Sequence, residues 1–155
     1  MSDNEYMRRV RAMEGRLFRI AQGILWRYAD SADAVQEAVL KAWKSRGSLR
    51  NEQYFETWLI RILINECHAI QRKNSRILPL EVAPEQTTAH TDPNIDLRDA
   101  LLRLPEKLRM PVMLHYMEGY DSKDIARILR IPAGTVRTRL MRARNQLRDF
   151  LGEDD

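Results

Sequence analysis

The chain has 155 residues, enough for one domain or two small ones. An apolar fraction of 44% argues against wholesale disorder, and six glycines, six prolines and few β-branched runs point to a mainly helical protein. The net charge of +4 is unevenly spread. Met1–Lys73 holds 13 basic and nine acidic residues, and Asp96–Leu151 holds 12 and seven, so two basic blocks flank an acidic connector.

Cys67 is the single cysteine, which rules out an internal disulfide and fits a reducing compartment. It lies in a largely apolar helical run, where a buried, inert thiol is expected. The start, Met-Ser-Asp-Asn-Glu-Tyr, is polar and acidic, so no secretory signal is expected. No apolar run reaches the ~18 residues of a membrane span. The expectation is a soluble cytoplasmic protein with no membrane insertion.

In chain order, Met7, Val10, Leu17, Ile20, Ala21, Ile24, Leu25 and Tyr28 recur at helical spacing and predict a first helix with one buried face. Asp-Ser-Ala-Asp at 30–33 interrupts it, with Asp30 or Ser31 placed to N-cap a second helix over about 32–45. Val35, Ala38, Val39, Ala42 and Trp43 form its expected core stripe. Asp33, Gln36, Glu37 and Leu40 fall on the opposite side. By spacing alone that side reads as a solvated face with a stray leucine, or as a docking face for a partner helix.

After a loop at 47–52, a third helix is predicted from near Gln53 to Lys73, with Phe55, Leu59, Ile62, Leu63, Ala69 and Ile70 inward. Thr57, Arg61, Asn65, His68 and Arg72 form a polar stripe, and Trp58 stands at its edge. Aromatic and basic groups beside a basic loop suit single-stranded nucleic acid, because bases stack on rings while cations follow phosphates. The plainer reading puts Trp58 in the core. Residues 77–94 have no helical period and contain Pro79, Pro84 and Pro93, which predicts a flexible linker.

A second module follows. Asp92-Pro93 is a candidate helix start, and Ile95, Leu97, Ala100, Leu101 and Leu104 supply its apolar surface until Leu104-Pro105 ends the helix. Pro111 should break any helix crossing it, so the next one is predicted to begin there and stop at Gly119. Asp121 and Asp124 are spaced as an N-cap and third helical residue. Ile125, Ala126 and Leu129 then face inward, Arg130-Ile131 makes a turn, and Pro132 opens a last helix with Val136, Leu140, Ala143 and Leu147 buried.

That last helix carries five arginines between Pro132 and Arg148 and no acidic residue. Thr135, Thr138, Arg139, Arg142 and Gln146 share one side; Arg137, Met141, Arg144 and Arg148 share the adjacent one. A short helix, a turn and a basic second helix is the layout of a helix-turn-helix reader of duplex DNA. Arginine can bond guanine bidentately in the major groove, and the C-terminal arginines are placed for phosphate.

The stretch from Gly119 to Arg144 resembles region four of bacterial extracytoplasmic-function (group IV) sigma factors, of the sigma-70 family. Leu104–Arg109 resembles the segment before it; Ala32–Trp43 and Phe55–Asn65 resemble region two. The resemblance covers nearly the whole chain in the right order. It implies an all-α protein of two small helical modules, region two over 1–75 and region four over 95–155, joined by a flexible linker at 76–94. It implies that Asp33, Gln36, Glu37 and Leu40 dock on the β′ clamp of core RNA polymerase, with the β flap as a further contact. Arg50, Asn51, Trp58, Arg61, Asn65 and Arg72 would bind the −10 element as it melts. Thr135, Arg137, Thr138, Arg139, Met141, Arg142 and Arg144 would read the −35 element. An anti-sigma factor is a further implied partner.

Arg130 stands where the family often has glycine, and Ala69 where it often has Asp. The competing reading is a helix-turn-helix repressor or activator that acts without polymerase. An enzyme is not expected: Glu66, Cys67 and His68 fan out around a helix, and no HExxH, CxxC pair, P-loop or GxSxG occurs. His90 is isolated in the linker and His115 is expected to line the core. No metal site or cofactor is expected.

Overall fold

The computed structural model describes residues 1–77 and 96–152, and all regular structure among them is helical. The chain divides into two compact units, Met1–Pro79 and Leu80–Asp155. The predicted linker beyond Ile77, the Asp92-Pro93 helix start, Ile95 and His90 lie outside the described residues.

The first unit packs α1 (Asp3–Leu25), α2 (Tyr28–Lys44) and α3 (Phe55–Ile77) around one core. Ser2 caps α1 by accepting from the Glu5 amide at 3.2 Å, and Asp3 and Glu5 sit in its first turn, where the helix dipole favours anions. Leu17, Ile20, Ile24, Phe55, Leu59 and Leu63 are fully enclosed.

The break between α1 and α2 falls at Trp26-Arg27, not at Asp30 as expected. Trp26 takes φ 68 and ψ −34, and α2 begins at Tyr28. Ser31 is no cap: it is buried inside α2, its hydroxyl 2.7 Å from Gln22 Oε1 and 2.9 Å from the Arg27 carbonyl. Serine can satisfy itself against the preceding turn of a helix, so a cap-like sequence did not make a cap. The end of α3 holds this junction. Gln71 Nε2 donates to the Ile24 carbonyl at 3.2 Å, and Asn74 Nδ2 to Asp30 Oδ2 at 3.1 Å. The first bond satisfies one of the carbonyls orphaned at the end of α1.

The buried residues of α2 are Ser31, Ala34, Ala38 and Ala42, all small, while Val35, Val39 and Trp43 are only half-buried. On α3, Ile60, Ile64 and Cys67 are buried and Ile62, Ala69 and Ile70 half-buried, because that helix packs against two neighbours and needs a wider apolar face than one stripe. Met7 and Tyr28, expected in the core, are exposed. Tyr6 takes the central place instead. Its hydroxyl donates to the Val39 carbonyl at 2.6 Å, and its ring meets Trp43 and Phe55 edge-on at 5.1 and 5.9 Å.

The second unit runs α4 (Leu97–Arg103), α5 (Glu106–Val112), a π-turn segment (Met113–Met117), α6 (Ser122–Leu129) and α7 (Ala133–Phe150). The described cap of α4 is Asp96, accepting from the Asp99 amide at 2.9 Å. Leu104-Pro105 ends α4 as expected. Pro111 does not start a helix, however; it lies inside α5. The proline lacks the N–H that would meet the Lys107 carbonyl, and the chain then widens into the π-turn, where the Glu118 amide reaches Met113 at 3.1 Å. A proline in a helix interior costs about 3 kcal/mol. Burial of Leu108, Met110, Val112, Met113 and Leu114 on the same segment, at about 1.5–3 kcal/mol each, outweighs it.

Arg109 is buried at 4% exposure and donates from Nη1 to the Leu104 carbonyl at 2.6 Å. Burial lowers its pKa from the ordinary arginine value, against an opposing pull from Glu106. Gly119 ends the segment at φ 83, as expected, and half-buried His115 donates from Nδ1 to the Tyr120 carbonyl, 2.9 Å away.

Asp121 caps α6 through Oδ1, which accepts from the Asp124 amide at 2.8 Å. Ile125 and Ile128 are its buried residues, with Ala126 and Leu129 half-buried. Arg130 closes the helix in the left-handed region, φ 57 and ψ 47, and Pro132 precedes α7. Val136, Leu140 and Ala143 are buried as expected, and Leu147 is half-buried.

Two substitutions test these features. All three tryptophans lie in the first unit, so their fluorescence follows that unit alone. Tyr6→Phe should lower its stability at neutral pH by about 1 kcal/mol, the worth of one hydrogen bond. Burial raises the Tyr6 phenol above its ordinary pKa of 10.0, with a smaller opposing pull from Arg46. The neutral phenol's stabilisation is therefore complete below pH 10 and lost as pH rises through the folded value, so the Tyr6→Phe deficit should shrink in alkali. Arg130→Gly should stabilise α6–α7 by roughly 0.5 kcal/mol, read by amide hydrogen exchange. It relieves about 1–2 kcal/mol of left-handed strain, and glycine's chain entropy returns about 0.5–1 kcal/mol of that. Faster exchange in the variant would count against strain at Arg130.

Candidate nucleic-acid and polymerase interface

The buried stripe of α7 fixes which way its other faces point. Arg137, Thr138, Met141, Arg142 and Arg144 are exposed; Thr135 and Arg139 are partly covered. Thr138 donates its hydroxyl hydrogen to the Gly134 carbonyl at 3.0 Å, which leaves its methyl and an oxygen lone pair for a base edge. Among the described residues no carboxylate pairs with Arg137, Arg139, Arg142 or Arg144. The surface therefore keeps its full positive charge, the condition for displacing counterions from a polyphosphate. Among the described residues, Arg144 donates to the hydroxyl of Tyr116 at 2.9 Å. Nothing in the spacing of residues 28 apart announced that contact.

In the first unit, Arg50 and Asn51 lie exposed on the loop before α3, and Asn65 and Arg72 are exposed along that helix. Trp58 and Arg61 are half-buried. Trp58 belongs neither wholly to the core nor wholly to the surface: its ring is tilted against Phe55, centroids 6.0 Å apart. Asn51 also has a structural task, accepting from the Gln53 amide at 3.0 Å to start the tight 52–54 turn. Thr57, placed on the polar stripe by periodicity, is buried with its hydroxyl 3.2 Å from the Tyr54 carbonyl. The surface stripe thus begins one turn later. Arg46, not singled out by the sequence, lies 3.5 Å over the Trp43 ring and donates to the Trp43 carbonyl at 2.8 Å, closing the end of α2.

Asp33, Gln36, Glu37 and Leu40 are all exposed on one side of α2, Leu40 at 46%. The neighbouring Lys41 is tied to Glu66 on α3, whose hydrogen bond raises the ammonium's pKa. Its charge is thereby balanced, and the face keeps the negative sign of Asp33 and Glu37. Leu40 continues into an apolar groove of about 540 Å³ between α1 and α2, which Met7, Phe18, Tyr28 and Val35 help to line. Of these, the exposed Met7 and Tyr28 look like core in the sequence because their spacing matches the true core stripe.

No group of three His, Cys, Asp or Glu among the described residues is placed to hold a metal ion. Among them no helix is long and apolar enough to cross a membrane.

Both units match known families. Residues 9–77 match the sigma-70 region 2 model and residues 95–147 the sigma-70 region 4 model. The chain is 39% identical over 127 residues to the ECF RNA polymerase sigma factor SigM of Mycobacterium tuberculosis, covering 79% of this chain and 65% of that relative. It is 33% identical over 147 residues to the ECF RNA polymerase sigma-E factor of Haemophilus influenzae, covering 81% and 78%. Its fold aligns with the sigma factor RpoE of Bartonella quintana, crystallised with the anti-sigma factor NepR, at a TM-score of 0.79 and 26% identity over 97% of this chain and 99% of that one. The chain belongs to the extracytoplasmic-function sigma factors of the sigma-70 family.

Proposed function

We propose that this chain acts in the cytoplasm as a sigma factor, binding core RNA polymerase and directing it to promoters. The observation that carries the proposal is the pairing of two surfaces. One is the face of α7, where Arg137, Arg139, Arg142 and Arg144 have no carboxylate partner among the described residues; the other is the acidic face of α2, with the exposed Leu40 at its C-terminal end.

Residues 1–75 serve as region two, 76–94 as the connector and 95–155 as region four. Thr135, Arg137, Thr138, Arg139, Met141 and Arg142 read the −35 element in the major groove, and Arg144 holds the backbone. Arg50, Asn51, Trp58, Arg61, Asn65 and Arg72 receive the melting −10 element. Trp58 suits this because a half-buried ring offers a rigid face on which an unstacked base can lie. Asp33, Gln36, Glu37 and Leu40 dock on the β′ clamp, and region four meets the β flap. The chain itself makes and breaks no bond. An anti-sigma partner is proposed from the fold neighbour crystallised with one.

The deciding experiment mixes the purified chain with bacterial core polymerase and a genomic promoter library. Co-elution with core and promoter-dependent transcripts are expected. Failure to associate with core would overturn the proposal and return the chain to a polymerase-independent regulator.

Two variants separate the surfaces. Glu37→Arg should weaken co-elution by reversing the sign of an exposed charge, while the tryptophan-fluorescence melt stays unchanged. Arg139→Ala or Arg142→Ala should leave core binding intact. Each should cost roughly 1–3 kcal/mol at one or two upstream bases, seen as relaxed preference there in transcripts from a randomised −35 library. A loss equal on all sequences would reassign that arginine to phosphate.

A further inference from the structure

Arg144 is held by a neutral oxygen. Its Nη1 donates to the Tyr116 hydroxyl at 2.9 Å, and among the described residues no carboxylate reaches it. A carboxylate would orient the guanidinium but cancel its charge. A phenol orients it and leaves the charge whole.

The phenol also keeps something for itself. A tyrosine hydroxyl accepts and donates, so accepting from Arg144 leaves its own hydrogen free to point elsewhere. Arg144 retains four of its five N–H groups. Both residues are exposed, Tyr116 at 55%, so the free donors face solvent. Tyr116 is itself steadied: its ring meets His115 edge-on at 4.6 Å, and His115 is fixed by the Tyr120 carbonyl. The site stands on the π-turn that follows Pro111, an irregularity often found at functional positions.

We propose that Tyr116 and Arg144 form a two-donor clamp for one backbone phosphate at the edge of the DNA bound by α7, with Tyr116 both contacting the phosphate and positioning Arg144. The inference rests on the reading of α7 as the DNA-binding helix. An arginine held in place before binding loses less side-chain freedom on contact, and a phosphate can accept both an O–H and a guanidinium. Such a contact is independent of base sequence, so it is testable without knowing the promoter.

The test uses the full chain and a short fluorescent DNA duplex of mixed sequence, titrated by anisotropy at several salt concentrations. Tyr116→Phe removes only the hydroxyl of an exposed ring, so its thermal melt should match the parent. It should weaken binding roughly three- to tenfold, the worth of about one hydrogen bond, without changing the salt dependence. Arg144→Ala should weaken binding more and make the slope of log K against log salt shallower by about 0.9. In the Arg144→Ala background, Tyr116→Phe should have a much smaller effect. Parent-like binding by Tyr116→Phe, or an undiminished loss in both backgrounds, would overturn the clamp. Arg142→Ala, run alongside, separates the two ideas: if it too leaves duplex binding unchanged, the DNA reading of α7 fails, not the clamp alone.

Discussion

The first unit depends on how closely α2 approaches its neighbours. Ser31, Ala34, Ala38 and Ala42 are the residues it buries, and none extends more than one heavy atom beyond Cβ. Interaxial distance follows the size of the contact residues, so a small-residue seam brings the three axes together. That seam also leaves Asp33, Gln36, Glu37 and Leu40 outside and the flanking Val35, Val39 and Trp43 half-covered, which creates both the acidic face and the apolar groove beside it. Tyr6 locks the arrangement from α1, bonding the backbone of α2 and packing its ring against Trp43 and Phe55. The acidic face proposed as a docking surface is therefore a consequence of the core.

The second unit solves a different problem with irregular backbone. Pro111, the π-turn and the left-handed Arg130 each depart from ideal helix geometry. Each is held by burial nearby: Met113 and Leu114 on the π-turn, Ile125 and Ile128 before the turn, Val136 after it. Strain of this kind persists only where surrounding packing over-determines it. The result is an α7 whose apolar stripe is fixed and whose Arg137, Arg142 and Arg144 are exposed to solvent.

The two surfaces are chemically opposite, as the two kinds of partner proposed for this chain require. The α2 face is acidic, with the exposed Leu40 at its C-terminal end. The α7 face is cationic, which fits DNA. Lys41 illustrates how the separation is kept: it lies beside Leu40, but its charge is matched by Glu66.

Much of this was legible in residue order because periodicity and charge are local. Helical class, the core stripe of α7, the Asp121 cap, the Gly119 stop, the unbalanced arginines and the exposed face of α2 all follow from spacings of a few residues, and the family resemblance rests on those same local strings. What residue order misplaced was decided by packing and partners beyond the local spacing. Ser31 became a core residue because Gln22 could bond it, and Pro111 stayed inside a helix because burial on α5 outweighed its cost. Met7 and Tyr28 were left outside, while Tyr6 took a place in the core. Tyr116 meets Arg144 only because the π-turn and α7 pack together. The sequence by itself determined the helices, the charge of their faces and the family. Only the tertiary structure decided which apolar residues were core and which polar groups found partners, because burial and hydrogen-bond satisfaction depend on groups brought together by folding.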